Sequence, residues 1–192
     1  MKLTEHALTI AKLTPPAERS PGVHLSEILR YLLTRQDPGR FKPGGEFDPE
    51  FVFAGFIWEE LVSGALSKLA GKSDPKRYIT QLEILFREVY CTIDVFDTKL
   101  WRVLECKYTE SSSGRSIRDH HFWHYFAQIK AYCLATGTRE AELWVYFARG
   151  DYKGKRREAK RWEVRFSERE LEENWMMISS AARQMREEGV IS

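Results

Sequence analysis

Residues 89–108 read VYCTIDVFDTKLWRVLECKY. Val89–Phe96 and Leu100–Tyr108 are short runs rich in β-branched and aromatic residues, divided by the turn signal Asp97-Thr98-Lys99. Such runs read as two strands of an antiparallel hairpin. Side chains alternate along a strand, so Glu105 and Lys107 share a face while Leu104 and Cys106 point the other way. Pairing across the hairpin brings Asp94 toward the same end of the sheet. Charges within apolar strands are costly unless paired or bound to metal. Two neighbouring carboxylates repel each other, and a divalent cation relieves the repulsion. Hard oxygen ligands with open positions suit Mg²⁺ or Mn²⁺. A cation so held polarises a phosphodiester and helps deprotonate water, with Lys107 placed to orient the nucleophile or stabilise developing charge. The bland alternative is an exposed Glu–Lys pair, worth about 0–1 kcal/mol. A bare D-x10-E-x-K pattern arises often by chance, so its surroundings must decide.

On the N-terminal side, Ile79–Phe86 reads as a further strand of an antiparallel meander, although QLEILFRE also suits a helix. Residues 1–22 hold Pro15-Pro16 and Pro21-Gly22 and read as an arm. Val23 to Arg35 reads as a short helix and residues 36–49 as a Gly/Pro-rich loop. Pro49–Ala70 reads as a second helix, capped by Asp48 and ended by Gly71. Gly55 and Gly64 inside it each cost about 1 kcal/mol relative to Ala, which suggests close packing or a site near Gly55. On the C-terminal side, 109–116 is a polar loop. Ile117–Thr136 is a helix with Phe122, Phe126, Ile129 and Cys133 along one face. Glu142–Ala148 and Trp162–Phe166 are strands. Ser167 and Glu170 form a capping box that opens a last helix, whose apolar face is Leu171, Trp175, Ile178, Ala182 and Met185. This order gives one α/β domain over 23–192, a central mixed β-sheet flanked by α-helices.

The 192 residues are 43% hydrophobic and 30% charged, which excludes a disordered chain and a disulfide miniprotein. No apolar run nears the roughly 18 residues of a membrane span, and the start shows no secretory h-region. Cys91, Cys106 and Cys133 form no CxxC pair, against a zinc ribbon or redox motif. The free thiols suit a reducing, cytoplasmic compartment. Net charge of +2 does not by itself imply nucleic acid. The stretch 149–165, RGDYKGKRREAKRWEVR, is locally basic, and Lys155, Arg156 and Arg157 are candidate phosphate contacts there; the alternative is a solvated charged loop. Ser111, Ser112, Arg115 and Arg118, directly after the Glu105–Lys107 strand, are further candidates. Trp123 and Tyr125 either stack bases or edge the core. His120, His121 and His124 form HHxxH without the glutamate a zinc protease needs.

Four short motifs in chain order resemble those of the PD-(D/E)XK nuclease superfamily, within it the RecB-like and phage-exonuclease group. Gly55-Phe56-Ile57-Trp58-Glu59 is similar to the G-x-x-x-E helix motif, Ile93-Asp94 to the motif II aspartate, Glu105-Cys106-Lys107 to E-x-K, and Gln128 to Tyr132 to Q-x-x-x-Y. Val23-His24-Leu25-Ser26 resembles the group's N-terminal segment more weakly. The resemblance covers about residues 23–148 and implies a restriction-endonuclease-like core. It implies Asp94, Glu105, Glu59 and the Cys106 backbone carbonyl as ligands of one or two Mg²⁺ or Mn²⁺ ions. It implies Lys107 as the catalytic lysine, and Gln128 and Tyr132, which lie four apart on one helix face offset from the apolar stripe, as groups that position it or contact DNA. Trp58 stands where many members carry a histidine, and the cluster-binding cysteines of some relatives are missing, so no iron–sulfur cluster is expected. The implied activity is metal-dependent DNA hydrolysis, by a phage-type exonuclease of recombination, replication or repair. A structure-specific or flap endonuclease and a non-catalytic DNA-binding module are the alternatives. The implied partner is DNA, with self-association or recombination and replication proteins as further partners, in the cytoplasm of a bacterium or phage-infected host.

Overall fold

A computed structural model describes residues 20–39, 41, 48–154 and 156–191. Most of the expected N-terminal arm, and Lys155, lie outside the described residues. The chain runs β1 (Val23–His24), α1 (Leu25–Gln36), α2 (Pro49–Ala70), β2 (Tyr78–Phe86), β3 (Val89–Asp97), β4 (Arg102–Thr109), α3 (Trp123–Thr136), β5 (Glu140–Phe147), β6 (Glu158–Arg165) and α4 (Glu168–Glu187). The strands form one mixed sheet. β2–β3–β4 is the expected antiparallel meander, β5 joins β4 in parallel across α3, and β6 closes antiparallel on β5.

One pairing was not anticipated. Val23 and His24 begin no helix; they pair in parallel with Val89 and Tyr90, and the His24 ring stacks on Tyr90 at 5.2 Å. β2 runs the length of β3, from Phe86↔Val89 to Tyr78↔Asp97. The other edge of β3 is shared, with β1 beside Val89–Tyr90 and β4 beside Val95–Asp97. Residues 91–94 therefore face a gap between two strands, and Asp94 sits at its mouth.

The helices cover both faces. α1, α3 and α4 bury Ile28, Ile129, Cys133, Trp175 and Ile178 against Cys91, Ile93, Val103 and Leu143. α2 packs Val62 and Leu66 on Val95, Leu104 and Cys106. Ile93 and Val95 thus belong to opposite clusters, although regular alternation puts residues two apart on one face. The break falls at Asp94. It lies between the Leu82↔Ile93 and Thr80↔Val95 pairs, across from Gln81, whose φ of 51° is a left-handed conformation rare for a non-glycine residue.

α2 keeps its expected ends, with Asp48 accepting from the Glu50 N–H at 2.9 Å. The Ser167–Glu170 capping box forms, and the expected apolar face of α4 is buried. Two expectations shift. α3 begins at Trp123 rather than Ile117, because Asp119 caps a separate 3-10 turn over His120–Phe122. β6 begins at Glu158, so half of the basic stretch is a strand rather than a loop. Among the described residues no helix is long and apolar enough to cross a membrane.

Candidate active site

The gap between β3 and β4 holds the charged cluster. Past the Val95↔Leu104 pair β4 leaves β3, and the Cys106 N–H donates instead to Asp94 Oδ2 at 2.8 Å. The carboxylate thus replaces a missing ladder partner. Glu105 points to the side of Val103, is fully buried, and pairs with Lys107 Nζ, as the alternation required. Its Oε2 has no hydrogen-bond partner. The Lys107 ammonium also lies 5.8 Å from the Tyr125 ring centre.

α2 brings Glu59 over Asp94. Glu60 beside it is exposed, while Glu59 is half-buried and accepts a hydrogen bond from Gln81 Nε2. Glu59 and Asp94 line two adjoining cavities. One of about 280 Å³ includes Gly55, Phe56 and Lys107, and one of about 360 Å³ includes Gln81, Gln128 and Tyr132. A Cβ on Gly55 would meet only Tyr108 Cβ, at 4.0 Å, so close packing does not demand this glycine.

The electrostatics follow from burial and crowding. Burial, then the Asp94 charge, pushes Glu105 up to about 8 and Glu59 up to about 7. Burial raises Asp94 as well, against the pull of Lys107 and the Cys106 N–H. Burial works against the Lys107 ammonium, but Glu105 and Asp94 outweigh it and hold its pKa above the ordinary lysine value. Fully ionised, its three carboxylates would outnumber the one lysine charge beside them. That imbalance and the unpartnered Glu105 oxygen fit a hard divalent cation. Among the described residues no three His, Cys, Asp or Glu side chains are drawn into a ready-made cage. A site of this kind leaves several ligand positions to water and substrate oxygens, as Mg²⁺ prefers.

Gln128 and Tyr132 differ from their expected offset from the apolar stripe. Tyr132 is buried within the core and borders the cavity that Asp94 and Glu59 also line. Gln128 Nε2 donates to its hydroxyl at 2.8 Å. The Tyr132 phenol is raised well above its ordinary value by burial, then by the charges of Glu105 and Asp94. Trp123 and Tyr125 are core edges rather than open stacking faces.

With this geometry in place, three solved structures align with the chain. A phage related exonuclease from Haemophilus somnus 129PT matches with a TM-score of 0.54 at 12% identity, over 86% of this chain and 82% of that one. LHK-Exo in complex with dAMP matches with a TM-score of 0.50 at 14% identity, over 87% and 89%. SSO0001 matches with a TM-score of 0.50 at 12% identity, over 89% and 81%. The chain shares the fold of these structures, an α/β fold with a central mixed sheet flanked by helices. No protein-family model and no curated protein matches its sequence. Within this fold the four sequence motifs fall on α2, β3, β4 and α3, and all four meet around the Asp94 gap.

The remaining candidates are spread out. Ser111 lines a cleft with Lys107 and Gln128, its Oγ 2.7 Å from His121 Nε2. Ser112 Oγ is engaged by the Gly114 N–H of its own turn. Arg115, Arg118 and Arg156 are exposed, and Arg157 lines a separate aromatic cleft. Gln81 was missed. A polar residue in the least certain strand gave no warning, and only its backbone conformation and its bond to Glu59 single it out. Trp58, Tyr108 and Tyr146 were missed as a group because they lie on three different elements.

Proposed function

We propose that this chain is a divalent-metal-dependent nuclease that hydrolyses DNA phosphodiesters, working from strand ends. The observation that carries this reading is the Asp94–Glu105–Lys107 cluster, gathered around a fully buried Glu105 at the point where β3 and β4 separate. A purely structural core has no use for an unpartnered buried carboxylate oxygen. Asp94 and Glu105 would hold the cation, with Glu59 and the Cys106 carbonyl completing its protein ligands. The cation, when bound, supplies charge for the phosphate oxygens and acidity for a bound water. Lys107, kept cationic by its two acidic neighbours, donates hydrogen bonds to the attacking water or to the charge that develops on phosphate. Gln128 and Tyr132 act as positioning residues, filling the space behind Glu105 and Asp94 so that the carboxylates hold their orientation. The wider setting, a phage-derived enzyme of recombination, replication or repair, belongs to the same proposal.

The test compares end-labelled linear DNA with covalently closed circles, with Mg²⁺ or Mn²⁺ and with a chelator. Cation-dependent loss of linear DNA alone, abolished in Asp94→Asn, is the expected result. Cutting of circles would replace the exonuclease with a structure-specific endonuclease. Cutting that survives in Asp94→Asn would reject the site.

A further inference from the structure

On the α2 face of the sheet, beyond Lys107, lies a cleft of about 450 Å³. Its walls are three half-buried aromatic rings from α2, β4 and β5. Trp58 and Tyr146 are 5.3 Å apart, and Tyr108 stacks against Tyr146 at 5.9 Å and 24°. Its apolar side continues into Ile57 and Leu61 of α2, which are 46% and 63% exposed. Arg149 and Arg157 stand at its rim. Arg149 pairs with Glu110 at 2.9 Å, and among the described residues Arg157 has no carboxylate partner. Tyr108 follows Lys107 directly and also lines the cavity that holds Asp94 and Glu59. The Tyr108 side chain therefore stands between the cleft and the candidate active site.

Aromatic faces joined to guanidinium groups suit one kind of ligand. Unpaired bases stack on such rings whatever their sequence, while arginines take the phosphates. A duplex offers no unstacked base to this surface. We propose that the cleft binds a single-stranded segment of the nucleic acid, its bases on Trp58, Tyr108 and Tyr146 and its backbone on Arg157 and Arg149. This rests on the nuclease reading above and adds a substrate feature to it: the strand that enters or leaves the site is unpaired on the α2 side.

The test measures binding of a short fluorescent oligothymidylate and of a blunt duplex of equal length, in a chelator so that nothing is cut. Wild type binds the single strand, and Tyr146→Ala and Arg157→Ala each weaken it roughly tenfold. Tyr146→Phe, which keeps the stacking ring, restores wild-type affinity, and Tyr146→Ala leaves duplex affinity unchanged. Loss of tryptophan quenching by the oligonucleotide in Trp58→Phe places a base on that ring. Unchanged single-strand affinity in Tyr146→Ala and Arg157→Ala would overturn the proposal. So would equal losses for duplex, or binding of an apolar helical peptide with no oligonucleotide binding at all. Cleavage by Asp94→Asn is scored separately. Cutting that persists there while Tyr146→Ala loses affinity rejects the nuclease site and keeps the cleft; the reverse pattern rejects the cleft alone.

Discussion

Asp94→Asn is expected to stabilise the cation-free protein while destroying its response to cations. The Asn side-chain oxygen still accepts from the Cys106 N–H, so the local geometry survives. What disappears is a buried charge whose neighbours already sit far from their ordinary state. Glu105 is held near 8 and Glu59 near 7, against 4.5 for a free glutamate, and after burial the Asp94 charge is the next cause of both displacements. Each pKa unit corresponds to about 1.4 kcal/mol, so removing this charge returns on the order of 1–3 kcal/mol. For a chain of this size that is a rise in Tm of roughly 3–8 °C. The sign follows from linkage. A carboxyl whose folded pKa is raised contributes its full stability below the unfolded pKa and loses it as pH climbs through the folded value. The difference between variant and wild type is therefore small at pH 5 and full at pH 8. Thermal unfolding followed by circular dichroism, in chelator and in Mg²⁺, measures both effects. Wild type gains Tm with Mg²⁺ by mass action, and the variant does not. A lower Tm for Asp94→Asn at pH 8 in chelator, or an unchanged Mg²⁺-induced gain, would refute the reasoning.

Other expectations follow from the same contacts. Lys107→Ala should cut turnover by about a hundredfold or more while oligonucleotide affinity stays within a few-fold, measured by single-turnover cleavage beside anisotropy. Asp97 is buried, accepts three hydrogen bonds from Arg77, at 2.9, 3.1 and 3.2 Å, and accepts from the Lys99 and Leu100 amides. Burial opposes its ionisation, but these bonds prevail and lower its pKa. Asp97→Ala should cost about 3 kcal/mol by urea unfolding at pH 7, and the deficit should shrink as pH falls below 4, where wild type loses the same charge. Ile129→Ala, in a fully buried position on α3, should cost about 2–5 kcal/mol. Neutralising Arg156 and Arg157 should flatten the plot of log affinity against log salt for single strands by about 0.7 for each lost contact; an unchanged slope would remove them from the interface.

Much of this architecture was legible in the chain. The Val89–Tyr108 hairpin, α2 and α4 announce themselves by alternation, by helical periodicity and by capping residues that act locally. The meeting of Asp94, Glu105 and Lys107 was legible because a hairpin register is short-range. Val23–His24 was misread because its apolar residues continue into α1 at helical spacing, and its strand character depends on an edge of β3 that lies far away in sequence. The 3-10 turn before α3 depends on one hydrogen bond, Asp119 Oδ1 to the His121 N–H at 2.8 Å. The change of face at Asp94 and the left-handed Gln81 across from it were hidden because both belong to an irregularity in strand pairing, which residue types alone do not encode. Tyr132 was placed outside the apolar stripe, although its ring completes the core, because a tyrosine reads as amphipathic until its neighbours are known. The aromatic cleft has no linear signal.

The most direct measurement of the central claim is the rate at which purified protein releases label from end-labelled linear DNA as Mg²⁺ is titrated, with Asp94→Asn prepared in parallel. Release should rise with Mg²⁺, stop in chelator and be lost in the variant. Release that is indifferent to Mg²⁺, or equal in the two proteins, would contradict it.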